Sequence, residues 1–138
     1  MTADPTLAVI TYLKANTNIT AKVGTRIYRA VLPAKPTFPA ITVTEISDIS
    51  DDDSNTSHLA HTRVQCTSWT DTGAGQAIEI SRLIRNAMHG IYNTSLTADV
   101  NKLYVVSIQD AGARPDVNTD VSPKVWMYHR DLMIEYQY

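Results

Sequence analysis

Three side chains near the middle of the chain, His58, His61 and Cys66, are of the types that bind zinc. In an extended strand, residues three apart point to opposite faces, so the two imidazoles converge only if the strand begins between them or bulges. The spacing therefore reads as two surface histidines at a strand entrance and a small buried apolar cysteine. A nucleophilic Cys–His pair needs a thiol activated by a helix N-terminus or a cationic neighbour, and neither is evident beside Cys66. The single cysteine also excludes an internal disulfide and any multi-cysteine zinc site.

Other constellations stop short of a site in the same way. Gly73-Ala74-Gly75 opens a helix where backbone amides could receive a phosphate, but the Lys-Ser or Lys-Thr of a P-loop and the third glycine of a dinucleotide fingerprint are missing. Asp51-Asp52-Asp53 has the charge of half a calcium loop without its alternating ligand spacing, glycine or distal glutamate, and reads as a solvated acidic tip. Trp126, Tyr128, Tyr136 and Tyr138 with Lys124 and Arg130 resemble a nucleic-acid stacking platform. Trp126, Tyr128 and Tyr136, however, share one parity of a strand with Leu132 and Ile134, which is the pattern of a core face. The opposite parity, Met127, His129, Asp131, Met133 and Glu135, is mixed, and a neighbouring subunit would explain its apolar members.

These residues sit in a chain of 138 residues, enough for one domain over 1–138 with its own core. At 43% hydrophobic and 19% charged residues the composition is that of a globular domain, and a net charge of −2 lacks the basic excess by which phosphate binders are usually recognised. Met1-Thr2-Ala3-Asp4-Pro5 has no basic segment leading into an apolar core, so no secretory signal is expected. No apolar run approaches the roughly 20 residues of a membrane span, and no membrane partner is expected.

The elements that position these side chains follow from periodicity. Asp4-Pro5 is a helix start, and Leu7, Val9, Ile10 and Leu13 form its apolar stripe to about Ala15. Ile19–Val23 reads as one further turn stopped by Gly24, and Arg26–Val31 as a first strand. After the prolines at 33, 36 and 39, Ala40–Ile49 is rich in β-branched residues and reads as a second strand, with the exposed segment 50–57 leading to a third over Leu59–Trp69. The next helix runs from about Asp71-Thr72 to Gly90, with Ala77, Ile80, Leu83, Ile84 and Ala87 on one face. Leu103–Ile108 and Lys124–Tyr136 read as the fourth and fifth strands, and Asp110–Asp116 between them as a turn-rich loop. This order predicts an α+β fold: a largely antiparallel sheet of about four to five strands with two main helices packed on one face.

Taken in order, several segments resemble the tail-completion, or tail-terminator, family of long-tailed bacteriophages and related prophage-derived particles. They are Val23-Gly24-Thr25-Arg26-Ile27-Tyr28 after the first helix, Pro39-Ala40-Ile41, Arg63-Val64-Gln65 leading to Trp69, Ala87-Met88-His89-Gly90, and Arg130-Asp131-Leu132-Met133-Ile134-Glu135-Tyr136. The resemblance covers nearly the whole chain and implies a structural virion protein with no catalytic residues and no cofactor. It further implies a subunit made in the host cytoplasm that forms a hexameric ring at the head–tail junction. The ring would cap the tail tube and meet a head-side connector or stopper, with DNA passing through unbound. Another head–tail ring subunit, or a small metal-binding or hydrolytic domain, are the alternatives. Within the ring reading, Met127, Met133 and Ile134 are expected as subunit contacts. Asp51, Asp52 and Asp53 are expected near the opening, repelling DNA, and the loop around Arg114 against the tube or connector.

Overall fold

The computed structural model describes residues 4–50, 58–98, 101–118 and 124–138. Helix α1, Pro5–Lys14, begins where the Asp4 carboxylate accepts the Thr6 amide at 2.9 Å, and α2, Thr17–Val23, where Asn16 accepts the amides of Asn18 and Ile19. Gly24, at φ 60°, ends α2 in a conformation that suits a residue without a side chain. There follow β1 (Ile27–Arg29), β2 (Ala40–Ser50), β3 (Leu59–Thr70), α3 (Ala74–Met88), β4 (Tyr92–Ala98), β5 (Asn101–Asn118) and β6 (Val125–Gln137).

The six strands form one sheet in the order β1-β2-β3-β6-β5-β4, so the sheet is larger than the four to five strands expected. All neighbours are antiparallel except β1 and β2, which run parallel over Ile27–Arg29 and Ile41–Val43. Helix α1 touches β1 and β2 at one margin and β4 at the other, so the sheet curls around it, while α3 covers β3, β6 and β5. Bulges at Glu45/Ser47, Val105/Ser107 and Asp110/Ala113 supply local bends of the kind that curling needs.

Two segments depart from expectation. The stretch 110–116 is part of β5, with Ala113 opposite Arg130, Arg114 opposite His129 and Pro115 opposite Tyr128. Beyond Ser107 the strand has no β4 partner, so Pro115 lies on an edge where its missing N–H costs nothing, and Gly112 takes φ 105° inside the bulge. Turn-forming residues are thus compatible with a strand at this place. Strand β4 adds a strand that the sequence pattern does not show: as an edge strand it buries only Leu96 and Ala98 and has no apolar alternation.

The core lies between the helices and one face of the sheet. Val9, Leu13, Ile19, Ile80, Ile84 and Met88 from the helices, each fully buried, meet Ile41, Val43, Val64, Ile108, Leu132 and Ile134 from the strands. At roughly 25 cal/mol per Å² of apolar surface removed from water, each large side chain contributes about 2 kcal/mol. One charged group shares this core: Arg130, 5% exposed, donates to Ser81 Oγ at 2.9 Å and to both Asp110 oxygens at 2.8 Å. Burial is tolerable because the guanidinium is paired and hydrogen-bonded.

Candidate assembly surface

Among the described residues no helix packs on the other face of the sheet, whose side chains follow from strand parity. In-register partners share a face, so the rows Trp69–Met127–Asp116, Thr67–His129–Arg114, Arg63–Met133–Gln109 and His61–Glu135–Ser107 all lie there. The polar members are tied to one another. Arg63 Nε donates to Asp131 Oδ2 at 2.9 Å, Gln65 Nε2 donates to Oδ1 at 3.1 Å, and an Arg114 nitrogen lies 4.0 Å from Oδ2. Thr67 Oγ1 and His129 Nδ1 are 2.8 Å apart, His129 Nε2 is 3.7 Å from Asp116, and His61 Nε2 is 3.4 Å from Glu135. Asp131 is only 7% exposed, yet both of its oxygens are satisfied, which explains how a carboxylate sits between three strands. At the end of the face, Trp69 Nε1 donates to Thr42 Oγ1 at 2.9 Å.

The expected contact residues divide between the two faces. Met127 and Met133 are half-buried on the bare face, and Arg114, with 61% of its side chain exposed, stands beside them. Ile134 lies on the core face at 1% exposure and is packed inside its own chain, so it is removed as a subunit contact. The parity of β6 places it there with Leu132 and Tyr136, opposite in direction to Met133. Arg114 belongs to a strand rather than to the loop expected for it. Asp51, Asp52 and Asp53 lie outside the described residues.

The residues that suggested chemistry are also accounted for by position. His61 points to the bare face and Cys66 to the core face of the same strand, while His58 sets its ring edge-on to Tyr138 at 5.5 Å. These three therefore do not converge. Cys66 is completely buried, and its thiol is pushed up to about 12, first by loss of hydration and then by the nearby Asp131 charge, against an opposing effect of Arg130. Such a thiol is inert rather than nucleophilic at neutral pH. Tyr136 is spoken for as well: its hydroxyl donates to Asp48 at 3.0 Å, and burial together with that bond raises its pKa. With Arg130 and Tyr136 in the core, the aromatic and basic residues of β6 do not form one stacking platform.

Two open clefts flank the sheet. One of about 310 Å³ lies between Thr11, Tyr12 and Ala15 of α1 and Thr94–Thr97 of β4; the other, of about 390 Å³, lies between Ala74, Pro115–Val117, Trp126 and Met127. Asp116 is the only carboxylate in either lining, and no histidine or cysteine joins it, so neither cleft assembles an acid–base pair. No helix among the described residues is long and apolar enough to cross a membrane. The exposed apolar side chains at the sheet margins, Ile46, Ile49 and Tyr92, escaped the sequence reading. Strand periodicity marks the faces of a sheet but carries no signal for which strand ends at an edge.

Comparison with known proteins agrees with this architecture. The solved structure titled "Virion of native gene transfer agent (GTA) particle" contains a chain that is 20% identical, with 97% of this chain and 95% of that chain aligned at a TM-score of 0.74, so the two share a fold. A search of curated proteins finds no match. The family described as "Tail completion protein gp17" matches residues 7–127, from the first turns of α1 into β6. The chain belongs to this tail completion family and is a structural protein of the bacteriophage virion.

Proposed function

We propose that the protein is the subunit of a hexameric ring that caps the tail tube at the head–tail junction and joins it to the head-side connector, while DNA passes through the ring without specific binding. The observation that carries this reading is the family match over residues 7–127, which spans nearly every element of the fold. The geometry is compatible with it. A sheet that, among the described residues, has one helix-free face and two unpaired margins can make several contacts at once, and a head-to-tail contact closes into a ring when its rotation permits. The role asks for no reaction, and the titratable residues of the bare face are committed to one another.

In this reading Met127, Met133 and Arg114 meet neighbouring proteins, and Asp51, Asp52 and Asp53 give the opening a negative charge that discourages DNA from adhering. The test is assembly in a host producing particles that lack the subunit. Heads and tails should accumulate separately, and purified protein should restore joining. Normal particle yield without the subunit would overturn the reading.

A further inference from the structure

We propose that neighbouring copies join head to tail, with the proline-rich strap 31–38 of one copy seated in the Trp126 cleft of the next and Lys35 paired with Asp116 across the junction. The inference rests on the ring reading and names a contact that would build the ring.

The strap links β1 to β2 and is left uncovered by its own chain. Val31 is 73% exposed, Pro33, Ala34 and Lys35 are exposed beyond it, and residues 32–38 make no hydrogen bond among the described residues. Pro33 and Pro36 flank Lys35; each fixes its own φ and lacks an N–H, so the segment is stiff and richer in acceptors than in donors. A segment restricted beforehand loses less freedom when it docks. The nearby cations are engaged, Arg26 with the Pro39 carbonyl and Arg29 with Asp4, whereas Lys35 has no ion pair among the described residues.

The cleft is complementary to such a segment. Trp126 and Val117 stand opposite each other in the row Thr70–Trp126–Val117, and with Ala74, Pro115 and Met127 they give the cleft an apolar lining. Val117 is 42% exposed, and Trp126 is half-buried. Trp69 Nε1 donates to Thr42, but Trp126 Nε1 has no acceptor among the described residues. Grooves walled by aromatic rings are a recurrent seat for proline-rich segments, and the indole N–H is a donor for one of the free strap carbonyls. Asp116 supplies the negative charge in the lining, with 58% of its side chain exposed. One exposed cation among prolines thus matches one exposed carboxylate beside an indole.

The two surfaces lie at one end of the sheet and on opposite margins. Ala40, which follows the strap, and Asp116 terminate one pairing row, Ala40–Trp69–Met127–Asp116, three strand spacings or about 14 Å along the sheet. A contact between two different surfaces repeats from copy to copy until it closes. Because a loop makes this contact and no strand pairing continues across it, the seat of the strap sets the angle between copies and the curl of the sheet does not.

The test is charge reversal, read as the fraction of purified tail tubes that carry a ring. Lys35→Glu and Asp116→Lys each set like charges against one another and should lower that fraction about tenfold or more. Unfolding midpoints should not move, because both side chains are exposed. An equimolar mixture of the two single variants should recover the parent yield, since every strap then meets a cleft of opposite charge in rings of alternating copies. The chain carrying both changes should recover as well. Parent yields from both single variants would overturn the strap contact and leave the ring reading intact. Loss without recovery, or recovery in the double variant but not in the mixture, would also overturn it, assigning the residues to another partner or to a pair within one copy. Absence of rings with the parent chain would overturn the ring reading and this inference with it.

Discussion

Alternate residues of β6 meet two different surroundings. Leu132, Ile134 and Tyr136 enter a core closed by α1 and α3, whereas Met127, His129, Met133 and Glu135 stay half-buried on a face that no helix covers. The first set is held by dehydration of apolar surface; of the second, His129 and Glu135 are tied by polar contacts to Thr67 and His61 on the same face, while Met127 and Met133 stay partly in water. One strand thus supplies the fold with one parity and leaves the other for contact. The difference predicts that equal substitutions one residue apart will have unequal consequences.

The largest effect belongs to Ile134→Asp, which buries an unpaired carboxylate where the side chain is 1% exposed and should cost about 4 kcal/mol, enough to abolish folding in many domains. Met133→Asp, on the bare face, should cost less than about 1 kcal/mol and retain the parent circular dichroism spectrum. Equal losses in urea unfolding would break the distinction. Next, Arg130→Met removes the partner of Asp110 and should cost about 3 kcal/mol, since a partly buried carboxylate is left behind. Arg63→Met likewise leaves a carboxylate behind: Asp131, with 10% of its side chain exposed, keeps only Gln65 and the more distant Arg114 among the described residues, so the change should cost about 2 kcal/mol.

The smallest effect is confined to alkaline pH. Cys66 has its thiol raised from 9.0 to about 12, and Tyr136 is raised from 10.0, so in both cases the folded state favours the protonated form. The associated stability is complete below pH 9.0 and falls as the unfolded thiol ionises, through a window reaching to about 12. Urea midpoints taken at about pH 8 and about pH 10.5 should therefore decline, and Cys66→Ala should flatten the slope. An unchanged slope would place the alkaline sensitivity elsewhere.

Much of the core was legible because burial imposes periodicity. The stripe of Ile80 and Ile84 marks the buried face of a helix, and the alternation of Leu132, Ile134 and Tyr136 the buried face of a strand. The Asp4 cap was equally plain, since one carboxylate next to Pro5 satisfies a helix terminus locally. What escaped was set by neighbours distant in sequence. Pro115 and Gly112 signal a turn wherever both sides of a strand must be paired, and they became strand residues because this stretch of β5 has a partner on one side only. Strand β4 has too few buried residues to show a pattern. The open margins were illegible for the same reason: whether Ile49 or Tyr92 is covered depends on which strand lies beside it.

In the proposed role this structural tail protein closes a ring on the tube. The direct measurement is negative-stain imaging of purified tail tubes with and without the protein, alongside its mass in free solution. The expected images show a ring of six copies at one end of each tube, tubes that stop lengthening, and ends able to join heads. Tubes of unaltered length and bare at both ends, with the protein still monomeric in the supernatant, would contradict it.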